Sequence, residues 1–76
     1  MLLSQLKPGQ KAVINQIQTT PAKRRLMEMG LVKGTQLLVI CRAPLGDPIE
    51  IEIRDYKLTI RGRDAKNIFV DVNGGQ

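Results

Sequence analysis

Few of the 76 residues have side chains suited to chemistry: one cysteine, Cys41, seven acidic residues, twelve basic ones and no histidine. Without histidine, no side chain titrates near neutrality by default, and general acid–base catalysis lacks its usual agent. Cys41 ends the apolar run Leu37, Leu38, Val39, Ile40 and has no imidazole to activate it. It therefore reads as a buried structural thiol rather than a nucleophile. Glu50 and Glu52 are two residues apart on one strand face, so both carboxylates point outward. Ferrous-type metals want histidine and carboxylate together, and these two glutamates read as solvated side chains facing Arg61 and its neighbours. Met27 and Met29 are soft ligands, but Met29 at helical spacing belongs to a core and Met27 to a flexible flank. No glycine motif able to cradle a phosphate is present. The expectation is a non-enzymatic chain with no catalytic residue, no cofactor and no tight metal site.

The formal charge of +5 suits nucleic acid, anionic lipid or an acidic protein face. The charges are dispersed, however, and the densest run is Lys23-Arg24-Arg25. One tyrosine and one phenylalanine offer almost no stacking platform for single strands. A nucleic-acid-binding barrel is thus an outlying alternative, expected to bind only weakly and with strong salt dependence. The length fits one domain spanning residues 1–76, with 73–76 as a frayed tail. A lone cysteine points to a reducing compartment. No apolar run approaches the ~20 residues that span a bilayer, and the N-terminus lacks a signal-peptide pattern. A soluble cytoplasmic protein is expected.

These side chains must be positioned by short elements. Arg42 to Pro48 holds Pro44, Gly46, Asp47 and Pro48, which fix or free the backbone and bar both a helix and a central strand. It runs directly into Ile49, Ile51 and Ile53 alternating with Glu50, Glu52 and Arg54, the pattern of a half-buried strand. Lys11 to Ile17 reads as a strand with a bulge or edge irregularity, and Thr35 to Cys41 as a buried strand. Lys57 to Arg61 and Ile68 to Val72 complete five. A two-residue turn at Asp55-Tyr56 is expected to pair Ile53 with Leu58, Ile51 with Ile60 and Glu50 with Arg61. One helix is predicted over Pro21 to Met29, capped by Thr20, with Ala22, Leu26 and Met29 as its apolar stripe. Arg24 and Glu28 pair across one turn of it, and Gly30 closes it. Leu2, Leu3 and Leu6 cover one end of the core. Residues 61–67 form a turn or one short helical turn. Five strands with one helix between the first and second make a mainly β fold, a small barrel without free edges.

Arg-Leu-Met-Glu-Met-Gly-Leu-Val-Lys-Gly at 25–34, Ala-Pro-Leu-Gly-Asp-Pro-Ile at 43–49, and Leu58-Thr59-Ile60-Arg61 followed by Asp64-Ala65 and Ile68 to Val70 resemble, in order and spacing, the ferrous iron transport protein A (FeoA) family. The resemblance runs from about Leu6 to Val72. It implies an SH3-like five-stranded barrel and a cytosolic accessory role in bacterial ferrous iron uptake. The implied partner is FeoB, with its GTPase domain and iron-conducting membrane part; membrane association would be peripheral, through that partner. Asp55 departs from the glycine common in the family's hairpin. Related domains at the C-terminus of iron-dependent repressors raise a second reading, a module responsive to transition metals.

Two surfaces are candidates for partner contact. One is the loop Pro44, Leu45, Gly46, Asp47 and Pro48, whose prolines reduce the entropy lost on binding and whose Leu45 can serve as an apolar anchor. The other is the helix end with Met27, Leu31 and Val32 beside Arg24 and Arg25. Each has a plainer alternative. The glycines can serve backbone geometry alone, Leu31 can belong to the core, and Asp47 can cap its own turn. Arg24, Arg25, Lys57 and Arg63 are suited to steering the domain toward an acidic protein surface or the anionic inner leaflet of a membrane.

Overall fold

The computed structural model describes residues 1–54 and 56–72. The strands are β1 (Lys11–Ile17), β2 (Gln36–Arg42), β3 (Ile49–Ile53), β4 (Tyr56–Ile60) and β5 (Ile68–Asp71). Helix α1 (Lys23–Glu28) lies between β1 and β2, and the one-turn helix α2 (Gly62–Ala65) between β4 and β5. A 3-10 turn, Leu3–Gln5, precedes β1. All pairings are antiparallel, and the sheet runs β4-β3-β2-β1-β5. The expected small SH3-like barrel with one helix between its first two strands is the fold observed.

The alternation in β3 is what fixes its orientation. Ile49, Ile51 and Ile53 are fully buried, while Glu50 and Glu52 between them are half-exposed. They join Ile14, Val39, Ile60 and Val70 from the other strands in one core. Leu3 and Leu6 close one end of it, both fully buried, as expected of the N-terminal leucines. Leu2 bridges to Phe69, and the Val70 amide donates to the Met1 carbonyl at 2.8 Å, so the chain's first residues cover the outer edge of β5.

Three local expectations are corrected. The β3–β4 hairpin pairs Ile53 with Tyr56, Ile51 with Leu58 and Ile49 with Ile60, and sets Glu50 opposite Thr59 rather than Arg61. The turn therefore comes one residue early, with Arg54 at φ 50 and Tyr56, expected in the turn, already in β4; Asp55, the other expected turn residue, lies outside the described residues. The partner shift is two residues, which leaves every side chain on its original face. Alternation alone could not distinguish the two registers.

The helix begins at Lys23 rather than Pro21. Its N-cap is Ala22, without a side-chain cap, because residues 20–23 first make a turn in which the Lys23 amide donates to the Thr20 carbonyl. The Thr20 hydroxyl is buried and has no hydrogen-bond partner. The helix end agrees with expectation. Gly30 has φ +103, its amide donates to Met27 O, and the Leu31 amide donates to Leu26 O. That is the paired 5→2 and 6→1 closure of a Schellman motif, with Leu26 and Leu31 both buried beneath it.

The third correction concerns β2. Its pairing with β3 slips between Val39 and Cys41, leaving Ile40 as the bulged residue. The slip inverts the alternation beyond it. Cys41, expected inside, is exposed opposite Glu50, and Arg42 comes opposite the buried Ile49. The irregularity expected in β1 is present between Ile14 and Gln16.

Candidate interaction site

The loop after β2 is held from three sides. Its own backbone closes through the Gly46 amide donating to Ala43 O at 2.7 Å and the Ala43 amide to Pro48 O at 3.0 Å. Gly46 at φ +87 allows the reversal, so its role is conformational. The Arg42 guanidinium reaches back beneath the loop. It donates to Gly46 O at 3.3 Å, to Leu6 O at 2.6 Å and to Ser4 O. Asp47 does not cap its own turn; its Oδ1 accepts the Gly62 amide at 2.6 Å, at the first residue of α2. With both neighbours of the tip tied down, Leu45 projects with 96% of its surface exposed, flanked by exposed Pro44 and Pro48.

The helix end forms a second feature. Met27, 44% exposed, and half-buried Val32 line an open groove of about 480 Å³ with Thr20, Lys23, Arg24 and Glu28. Arg24 and Glu28 pair on it as expected, at 3.6 Å. Both side chains are largely exposed, so that pair contributes little. Leu31 is removed from the candidate contacts, since it is fully buried and serves as the Schellman hydrophobe. Arg25 turns away from the groove and donates to Asp64 Oδ2 at 3.0 Å, joining α1 to α2. The predicted residues therefore divide into a loop tip carrying Leu45 and a groove carrying Met27, Val32 and Arg24. Arg42 and Asp64, which position the loop and α1, were not apparent from the sequence, because neither the β2 slip nor the α1–α2 contact leaves a periodic signal.

Catalytic features do not assemble around the thiol. Cys41 Sγ donates to Glu50 Oε1 at 3.2 Å. This hydrogen bond, desolvation and the Glu50 charge raise the Cys41 pKa above its ordinary value, against a smaller opposing effect of Lys57. A raised pKa means less thiolate at any given pH below it, so Cys41 is a poor nucleophile despite its exposure. Alkylation by iodoacetamide near pH ~8 is expected to be slower than for a free cysteine and to accelerate in Glu50→Gln. Equal rates for the wild type and the variant across a pH series would show that the thiol–carboxylate contact does not control reactivity. Among the described residues, no three His, Cys, Asp or Glu side chains are grouped to hold a metal ion. No helix among them is long and apolar enough to cross a membrane.

Comparison with known proteins agrees with this geometry. The FeoA domain family model matches residues 1–72. An Fe(2+) transport protein A/Fe(2+) transporter FeoB fusion protein of Porphyromonas gingivalis is 38% identical over 73 residues, which are 95% of this chain but 9% of the fusion. The solution structure of the Chlorobium tepidum FeoA protein superposes with a TM-score of 0.90 at 44% identity, covering 100% of this chain and 73% of that one. The crystal structure of Stenotrophomonas maltophilia FeoA complexed with zinc, described as a procaryotic SH3 domain protein, gives 0.82 at 30% identity, covering 93% and 89%. A match across nearly the whole chain in sequence and in fold shows that the chain belongs to the FeoA domain family.

Proposed function

We propose that this chain is a non-enzymatic accessory protein of ferrous iron uptake, acting on the cytoplasmic side by direct contact with a FeoB-type transporter. The observation that carries this reading is the Porphyromonas gingivalis fusion, in which a segment similar to this chain shares one polypeptide with a FeoB transporter. Covalent linkage of two modules raises their effective concentration and is useful when they bind each other. The contact is assigned to the Pro44–Pro48 loop. Leu45 is an apolar side chain held in solvent by a backbone that Arg42 and Asp47 already fix, so little conformational entropy remains to be lost when a partner covers it. Pro44, Gly46 and Pro48 set the shape of the tip. Met27, Val32 and Arg24 offer a secondary contact.

The test is co-purification of the chain with a FeoB-type transporter, wild type against Leu45→Asp. An interface anchor of this kind carries at least ~1.4 kcal/mol, so binding is expected to weaken about tenfold or more. The exposure of Leu45 predicts an unchanged melting temperature. A folded variant that binds as well as wild type would remove the loop from the interface. Absence of any complex with the wild-type chain would remove the proposed function itself.

A further inference from the structure

We propose that the depression between α1, α2 and the end of β4 is an oxoanion site that takes a phosphate group on Arg25, Arg61 and Arg63. These three arginines line one hollow of about 220 Å³ together with Thr59 and Asp64. An adjoining hollow of about 390 Å³ shares Arg25, Arg63 and Asp64 and adds Thr20 and Asn67. The fold brings Arg25 of the helix to two basic residues distant from it in the chain, Arg61 just after β4 and Arg63 within α2.

The charges are unbalanced in a specific way. Asp64 is buried, 7% exposed, and accepts from Arg25 Nη2 at 3.0 Å. Among the described residues the Arg61 and Arg63 side chains make neither a hydrogen bond nor an ion pair. Among the residues lining the hollow, three guanidinium groups face one carboxylate, an excess of two positive charges; the Asp47 carboxylate on the Gly62 amide lies nearby but outside the lining. A phosphate group carries a charge of about −1.5 to −2 at neutral pH and presents three acceptor oxygens; a single carboxylate would neutralise half of the excess. The arrangement is also partly preorganised. Asp64 fixes Arg25 through one nitrogen and leaves its other donors available, and guanidinium forks match paired phosphate oxygens. Thr59 lines the same hollow, and Thr20 and Asn67 line the adjoining one. A cation is repelled from such a site.

The experiment is an NMR titration of the intact chain with inorganic phosphate against sodium chloride at equal ionic strength. It follows the amides of Thr59 to Asp64 and the arginine Nε–H groups. A parallel arm sediments the chain with vesicles of equal parts phosphatidylglycerol and phosphatidylcholine. Saturable, phosphate-specific shifts in this region are expected, about tenfold weaker in Arg61→Gln/Arg63→Gln and unchanged in Arg54→Gln. Both substituted arginines are exposed, so the fold is retained. Phosphate binding without sedimentation identifies a free phosphate as the ligand. Sedimentation that the double variant abolishes identifies a lipid headgroup. Three results overturn the proposal: shifts that chloride reproduces, binding that survives the double substitution, or a glutamate-rich peptide that saturates these arginines where phosphate does not.

Discussion

Gly30→Ala is expected to destabilise the protein by about 3 kcal/mol, lowering its melting temperature by more than ~10 °C for a chain of this size. Two costs add. The backbone at φ +103 is one that residues with a Cβ adopt only with strain of about 1–2 kcal/mol. A Cβ built there would also stand 2.5 Å from Tyr56 Oη and 3.2 Å from Ile53 Cδ1. The tyrosine must then move and give up its hydrogen bond to Met29 O, which ties β4 to the end of α1 at 2.5 Å. Gly34 provides the control. It has φ +91 but nothing within 4 Å of the added methyl, so Gly34→Ala carries the strain alone. In a Tyr56→Phe background the closest clash disappears, and Gly30→Ala should fall toward the Gly34→Ala value in a double-mutant cycle. Urea denaturation of the four variants checks this. Equal losses for Gly30→Ala and Gly34→Ala would show that the tyrosine contact is not a constraint.

The second large effect is at Arg42. Replacing it by alanine removes the donor from the carbonyls of Ser4, Leu6 and Gly46 at once. Hydrogen bonds to a charged group contribute about 1.5–3 kcal/mol, and here one fork satisfies acceptors on two segments. A loss of about 2–3 kcal/mol is expected. Arg42→Lys should recover only part of it, because an ammonium is a point charge without the planar fork. Amide hydrogen exchange should accelerate at Gly46 and Leu6 before it does in β3. Stability within ~0.5 kcal/mol of wild type in Arg42→Ala would mean that water replaces the guanidinium and that the loop is held by its own turn.

The strands were legible because β-branched alternation reports a buried face directly. The inward positions of β3 follow from Ile49, Ile51 and Ile53 without reference to any other residue. Helix closure at Gly30 was equally legible, since a glycine just past the apolar stripe supplies the left-handed residue that ends a helix; Leu31, read as a contact candidate, proved to be the buried hydrophobe of that closure. What failed is what periodicity cannot record. A hairpin slipped by two residues presents the same faces, so Ile51 facing Leu58 reads like Ile51 facing Ile60. A bulge at Ile40 turns Cys41 outward and Arg42 inward with no local mark in the sequence. The start of α1 was misplaced because Thr20 and Pro21 make a good cap and first turn, yet the chain uses them to enter the helix and places the Thr20 hydroxyl inside. At the candidate site, composition identified the rigid loop and its exposed leucine. It could not show that the arginine opening the loop folds back beneath it onto the Ser4 and Leu6 carbonyls, or that Asp64 brings α1 and α2 together.

The hydrogen bond between Val70 and Met1 has a bearing on how the domain can be built into other molecules. It places the point where the polypeptide enters the fold beside the strand from which it leaves, on one rim of the barrel. Residues 1 and 2 thus lie against the last strand of the fold. A long polypeptide could accommodate such a unit as a side branch.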